Sequence, residues 1–103
     1  MAEKHFFQLL GEETPSIKDA FFDFAGTVQK DCGLDEKTYQ LIYIGIKAAA
    51  GEPGPVAAHA GFAKKAGATR DEVRGAVLVS MVSNGVTGIS TSLAAALDAY
   101  DNA

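Results

Sequence analysis

The longest uncharged segment of the chain limits the folds that it can adopt. It runs from Gly75 to Leu97, 23 residues without Asp, Glu, Lys or Arg, which is long enough for a helix to cross a bilayer. Its polar side chains are Ser80, Ser83, Asn84, Thr87, Ser90, Thr91 and Ser92. A lipid-facing helix rarely carries so many hydroxyl groups, and Asn84–Gly85 is typical of a break between helices. We therefore predict two consecutive helices buried in protein, with no membrane span.

The rest of the chain also has the residue spacing of helices. One apolar stripe, with members every three or four positions, comprises Ile17, Phe21, Phe24, Ala25 and Val28. The alternation of polar and apolar residues that marks a surface strand is absent, and no linker, repeat or low-complexity tract divides the sequence. We predict an all-α fold, a single-domain helical bundle of about five helices over residues 1–103.

Capping residues and helix breakers predict where these helices begin and end. The predicted helices run from an N-cap at Ser16 to about Asp31, from a cap at Asp35 to about Ala50, from Pro55 to Gly67, from a cap at Thr69 toward Asn84, and from Thr87 to Tyr100. Thr69 and Glu72 have the spacing of a capping box. Pro55 suits a first helical position because its missing N–H is not needed there. A short apolar-aromatic stretch from Glu3 to Leu10, ended by Gly11, precedes the five helices.

Charge and cysteine content exclude several classes of partner and site. The net charge is −4, which argues against nucleic acid and anionic membranes because phosphate binding needs a concentrated positive field. Cys32 is the single cysteine, so an intrachain disulfide and a Cys-x-x-Cys pair are excluded. Its predicted place at a helix end beside Asp31 favours a structural or surface thiol over a reactive one. The chain opens without a signal-peptide pattern, and a cytoplasmic location is expected.

Small residues are frequent in the last two predicted helices. Gly, Ala and Ser side chains let helix backbones approach closely, and a monomer of 103 residues has limited capacity to bury so much of its surface. We therefore expect a homo-oligomer whose interface includes part of Gly75–Leu97. Packing within a single chain is the alternative explanation.

His59 is the candidate for proton transfer. It lies among alanines on a predicted helix, just after the Pro/Gly loop at residues 51–55. An imidazole titrates near neutral pH, and a helix N-terminus favours its neutral form. The alternative is a buried structural histidine that is hydrogen-bonded to a carbonyl or a carboxylate.

A polar stripe on the preceding helix is the candidate binding surface. Its members, again at helical spacing, are Glu36, Gln40, Tyr43 and Lys47. The amide, phenol and ammonium groups of Gln40, Tyr43 and Lys47 are suited to lining a pocket for a small acidic molecule. A solvated helix face explains the same pattern equally well.

Two arginines are further candidates for binding an anion. Arg70 and Arg74 lie one helical turn apart, a spacing that allows both to hold a carboxylate. Pairing with Asp71 or Glu72 on the surface is the alternative. The two histidines of the chain are distant in sequence and lack an acidic neighbour at ligand spacing, so we predict no metal site. No Gly-Lys-Ser/Thr follows the glycines at residues 51–54, and no cofactor is expected.

The order of these features resembles a known family. Residues 33–38, Gly33-Leu34-Asp35-Glu36-Lys37-Thr38, precede a long apolar helix, a short loop and His59, and then comes Ala66-Gly67-Ala68-Thr69-Arg70-Asp71-Glu72-Val73. This arrangement is similar to the carboxymuconolactone decarboxylase family, which includes the alkylhydroperoxidase D-like proteins. The resemblance implies an all-helical alkylhydroperoxidase D-like fold and a homo-oligomer, commonly a trimer or a hexamer.

The resemblance also bears on activity. It places the two cysteines of the peroxidase-type members at Glu52 and Pro55, and their proton-relaying glutamate at Gln40, so two-cysteine peroxidase activity is not expected. Decarboxylase-type members lack the cysteines but keep a histidine at the position of His59. Their substrates are carboxylated lactones, which implies cations to hold the carboxylates, here Lys47, Arg70 or Arg74.

Three functions are therefore considered. The first is a lyase with His59 as general acid/base, in a pocket between the helices predicted to start near Asp35, Pro55 and Thr69. The second is a non-catalytic binding or assembly protein that retains the fold. The third is a redox role for the single thiol of Cys32.

Overall fold

The computed structural model describes residues 4–103, so Glu3, where the predicted aromatic stretch begins, lies outside the described residues. Within that range the chain forms helices and no strand, namely α1 (Phe6–Glu13), α2 (Pro15–Asp31), α3 (Glu36–Ala49), α4 (Pro53–Lys65), α5 (Arg70–Asn84) and α6 (Ile89–Asn102). The all-α prediction is confirmed. The number of helices is six instead of about five, because the aromatic stretch continues through Gly11 as helix α1.

Contacts divide the chain into two compact units. The first contains α1 and α2 and ends at Leu34. Phe7 of α1 packs on Phe21 and Phe22 of α2, with ring centroids 6.0 and 4.9 Å apart. Helix α2 begins at Pro15, so Thr14 occupies the N-cap position that was predicted for Ser16. A proline is favoured at the first helical position because its missing N–H would have no partner there.

The second unit, Asp35–Ala103, is a bundle of four helices. Helix α3 packs against α4 and α5, and α6 packs against the same two helices. The starts of α3 and α5 are joined by an ion pair between Lys37 and Glu72, and their ends by a hydrogen bond from Asn84 to the Ala49 carbonyl. These two helices therefore run in the same direction.

The predicted caps of α3 and α5 are present. The Asp35 carboxylate accepts a hydrogen bond from the Thr38 N–H at 2.8 Å. The Thr69 hydroxyl accepts from the Glu72 N–H at 3.1 Å, and the Glu72 carboxylate accepts from the Thr69 N–H at 2.9 Å, which completes the capping box. Helix α4 begins at Pro53, two residues before the predicted start at Pro55, with Glu52 as its N-cap.

The core of this unit is made mostly of small side chains. Its buried hydrophobic residues are Ile44, Ala48, Val56, Ala60, Ala63, Ala68, Val73, Val77 and Ala96. The uncharged segment Gly75–Leu97 forms parts of α5 and α6, separated by a turn that includes Gly85, as predicted. None of the helices described over residues 4–103 combines the length and the apolar character that a membrane crossing requires.

Gly88, the N-cap residue of α6, lies against the end of α3. A Cβ atom at this position would overlap the carbonyl oxygen of Ala48. We expect Gly88→Ala to lower the free energy of unfolding by about 1–3 kcal/mol, since the two backbones must separate. Gly61→Ala is the control, because a Cβ there meets nothing within 4 Å and should be neutral or stabilising by about 0.5–1 kcal/mol. Urea unfolding of both variants checks this, and equal stabilities would contradict the close approach.

Candidate functional site

His59 lies between two aromatic rings on the face that α4 turns toward α3. The imidazole stacks on the ring of Tyr43, with centroids 3.6 Å apart and planes inclined by 20°. Phe62, one turn further along α4, meets the imidazole edge-on at 5.0 Å. The side chain is half-buried. The two neighbouring rings thus limit the orientations that the imidazole can take.

Gln40 connects the imidazole to a carboxylate. Its Oε1 lies 2.6 Å from Nδ1 of His59, and its Nε2 donates to Oε1 of Glu36 at 2.8 Å. Gln40 is only 3% exposed. Both ends of the predicted substrate-binding amide are therefore engaged by other side chains of the protein.

Lys47 supplies a positive charge on the same stripe. Its Nζ lies 6.0 Å from the centroid of the Tyr43 ring and forms an ion pair of 3.0 Å with the carboxylate of Glu52. Lys47 and Tyr43 belong to α3, whereas Glu52 is the residue before α4. A cation thus lies beside the stacked rings, already bound by a carboxylate.

The arginines predicted to bind a substrate carboxylate have protein partners. Arg70 forms two hydrogen bonds with the carboxylate of Asp101, at 2.9 and 3.2 Å, and Arg74 pairs with Asp71 at 2.9 Å. The structure brings Gln40, Tyr43 and Lys47 together around His59. It places Arg70 and Arg74 in separate ion pairs near the start of α5.

Two contributors to the site were not assigned a role from the sequence. Glu36 belongs to the predicted polar stripe, so its helical spacing to Gln40 was a usable signal. Phe62 lies three residues after His59, which places both side chains on one face of α4. Neither residue type by itself indicates contact with an imidazole.

A separate groove lies between α3 and α5. It has a volume of about 570 Å³ and is lined by Thr38, Leu41, Ile42, Gly45, Ile46, Ala49, Glu72, Ala76, Val79, Ser80 and Ser83. His59 is not among these residues, so the predicted pocket that includes His59 between three helices does not correspond to this groove. Mostly apolar side chains line the groove, whereas the His59 site is polar.

The remaining reactive groups are possible metal ligands and the thiol of Cys32. Over residues 4–103, no cluster of three or more His, Cys, Asp or Glu side chains has the placement needed to hold a metal ion. Cys32 is exposed at the C-cap of α2, with its Sγ 4.0 Å from the Gln29 carbonyl.

The surroundings of His59 lower its pKa. Burial is the main cause because it disfavours the charged imidazolium, and the positive charge of Lys47 acts in the same direction. The negative charge of Glu36 opposes them in part. The imidazole is therefore mainly neutral at pH 7.

We expect an NMR titration to give His59 a pKa below the ordinary value of about 6.5. Lys47→Met should raise this pKa, since it removes a positive neighbour and frees the carboxylate of Glu52. Lys65→Met is the control. It also removes a lysine from this part of the chain, but Lys65 is not among the causes of the lowered His59 pKa. Equal shifts in the two variants would contradict a specific effect of Lys47.

Comparison with known proteins gives one family and no individual relative. A sequence model of the carboxymuconolactone decarboxylase family matches residues 15–98. No curated protein and no solved structure matches the chain. The match covers most of the 103 residues and includes His59 and all the residues described around it. The chain therefore belongs to the carboxymuconolactone decarboxylase family.

Proposed function

We propose that this protein is a small-molecule lyase that acts on a carboxylated lactone-like substrate, with His59 as its general acid/base. The observation that carries the proposal is the environment of His59, which is half-buried, stacked on Tyr43 and hydrogen-bonded by Gln40. Such contacts hold an imidazole in a defined position, as proton transfer requires. Membership in the family supports the substrate class.

The proposed reaction is a decarboxylation. The bond between carbon and the carboxylate breaks, CO₂ leaves, and the electron pair of that bond passes into the unsaturated system conjugated with the lactone carbonyl. A proton from the His59 imidazolium is then added to the carbon skeleton, and the imidazole regains a proton from water. The lowered pKa of His59 makes its imidazolium a stronger acid for this step.

Binding of the substrate carboxylate is assigned to Lys47. Its ammonium group lies beside the Tyr43 ring and pairs with Glu52, which a substrate carboxylate can replace. Arg70 and Arg74 are also ion-paired, with Asp101 and Asp71, but they belong to the start of α5 and not to the stripe of α3 that meets His59. Gln40 is assigned to holding His59, because both ends of its buried amide are already hydrogen-bonded.

Peroxidase chemistry with two cysteines is not proposed. Cys32 is the only cysteine of the chain, so an attacking and a resolving thiol cannot both come from one chain. Glu52 and Pro55 stand where the resemblance places those thiols.

The activity test is a panel of carboxylated lactones and hydroxy acids. His59→Asn should reduce decarboxylation by about 10²- to 10⁴-fold, the usual contribution of a general acid/base. In the wild type, the rate should fall as the pH rises through the pKa of His59, because the imidazolium is the proton donor. His5→Asn is the matched control, since it removes the only other histidine, which caps α1.

A different outcome favours the second candidate function. Absence of turnover in the wild type, together with binding of a carboxylated compound in calorimetry, would indicate a binding protein that retains the fold. The feature that supports this candidate is that Glu52, Pro55 and Gln40 stand where the resemblance places the two thiols and the glutamate of the peroxidase-type members.

We also propose that the protein is a homo-oligomer, a trimer or a hexamer, with α5 at the interface. The exposed apolar side chains of α5 and the following turn are Leu78, Val79, Met81, Val82 and Val86. Val82 is 91% exposed. A concentration of exposed apolar side chains on one helix is typical of an interaction site.

Val82→Asp should reduce the native mass measured by light scattering, because a charge would be buried in the interface. Ala58→Asp places the same charge on an exposed position of α4 and should leave the mass unchanged. A wild type that is monomeric at all concentrations would contradict the oligomer.

A further inference from the structure

We propose that Glu36, which reaches His59 only through Gln40, is a positioning residue that sets the tautomer of the imidazole. In this assignment the neutral ring carries its proton on Nδ1 and its lone pair on Nε2. The proposal follows from a chain of two hydrogen bonds that joins Glu36 to Gln40 and Gln40 to His59.

The carboxylate of Glu36 determines the orientation of the Gln40 amide. A carboxylate accepts hydrogen bonds and has no proton to donate. The end of the amide that lies 2.8 Å from Glu36 must therefore be the NH₂ group. Because the two ends of an amide differ, the carbonyl oxygen of Gln40 is then directed at His59.

The Gln40 amide in turn determines the position of the proton on the His59 imidazole. A carbonyl oxygen can only accept, so Nδ1 of His59, 2.6 Å away, must be the donor. A neutral imidazole has a single N–H, and hence Nε2 carries the lone pair. The charge of Glu36 thereby determines which nitrogen can receive a proton.

Burial makes this orientation costly to reverse. Gln40 is 3% exposed, so water is poorly placed to replace either of its hydrogen bonds. Rotation of the amide would direct its NH₂ group at His59 and oppose its carbonyl oxygen to the carboxylate of Glu36. Tyr43 and Phe62 contact the ring from two sides, which restricts its rotation away from Gln40.

The consequence for proton transfer rests on the proposed function. Because Nδ1–H of His59 donates to the Gln40 carbonyl oxygen, Nε2 is the nitrogen that takes up a proton from water and delivers it to the substrate carbon. The ring stays hydrogen-bonded throughout, since Nδ1–H is present in both the neutral and the charged form. The tautomer itself is a property of the free protein and can be measured without any substrate.

The experiment is a ¹H–¹⁵N correlation spectrum of the imidazole rings, recorded on the full chain at a pH above the pKa of His59. We expect His59 to appear as the Nδ1–H tautomer. His5 provides a reference of opposite type in the same spectrum, because its Nδ1 accepts a hydrogen bond from the Phe7 N–H at 3.2 Å and so carries the lone pair.

Glu36→Gln is the decisive variant. Its side-chain amide can donate as well as accept, so the Gln40 amide loses its fixed orientation and His59 should change from one tautomer to a mixture. Glu52→Gln is the matched control, because it removes a carboxylate that pairs with Lys47 and lies outside the chain of hydrogen bonds. It should leave the His59 tautomer unchanged.

Each outcome decides the proposal. A wild-type His59 protonated on Nε2 overturns it, and so does a Glu36→Gln variant that keeps the pure Nδ1–H form. If Glu36→Gln does not fold, Gln40→Leu replaces it, since loss of the Oε1 acceptor should likewise give a mixture. Persistence of the pure Nδ1–H form in that variant would again overturn the proposal.

Failure of the proposed function is distinguishable from failure of this inference. If Glu36→Gln changes the His59 tautomer but the wild type has no lyase activity, the inference stands and the proposed function is wrong. Lyase activity in a protein whose His59 tautomer is unchanged by Glu36→Gln supports the function and overturns the inference.

Discussion

Close packing of helices over small side chains is the constraint on which the four-helix unit depends. Five of its nine buried hydrophobic residues are alanines, and Gly88 lies against the backbone of Ala48 where no Cβ would fit. Helices that approach so closely leave little room for large side chains between them. Larger apolar residues of α3 and α5, such as Ile46 and Val82, lie outside this core, on the surface. The unit thus combines a core of mostly small side chains with a partly apolar exterior.

The packing of α3 against α4 also shapes the His59 site. It brings the ring of Tyr43 to a stacking distance of 3.6 Å from the imidazole and buries the amide of Gln40. Burial lowers the pKa of His59, and it makes the hydrogen bonds of Gln40 costly to exchange for water. The neutral state of the ring and its orientation therefore have a common physical origin.

Local signals in the sequence predicted much of the secondary structure. Asp35 and the pair Thr69 and Glu72 form the caps that their spacing predicts, because capping involves residues only three positions apart. The prediction was less accurate where two signals compete. Thr14 precedes a proline and takes the N-cap position predicted for Ser16, and helix α1 continues through Gly11, because a single glycine weakens a helix without necessarily ending it.

The sequence by itself determined that the chain is all-α, which residues cap its helices, that it lacks a cysteine pair, and that Gln40, Tyr43 and Lys47 share one face of α3. All of these depend on composition or on neighbours within a few positions. Only the tertiary structure decided that this face meets His59, nineteen residues further along from Gln40, and that Arg70 pairs with Asp101. Such partners are selected by the packing of separate helices, for which spacing along one helix carries no information.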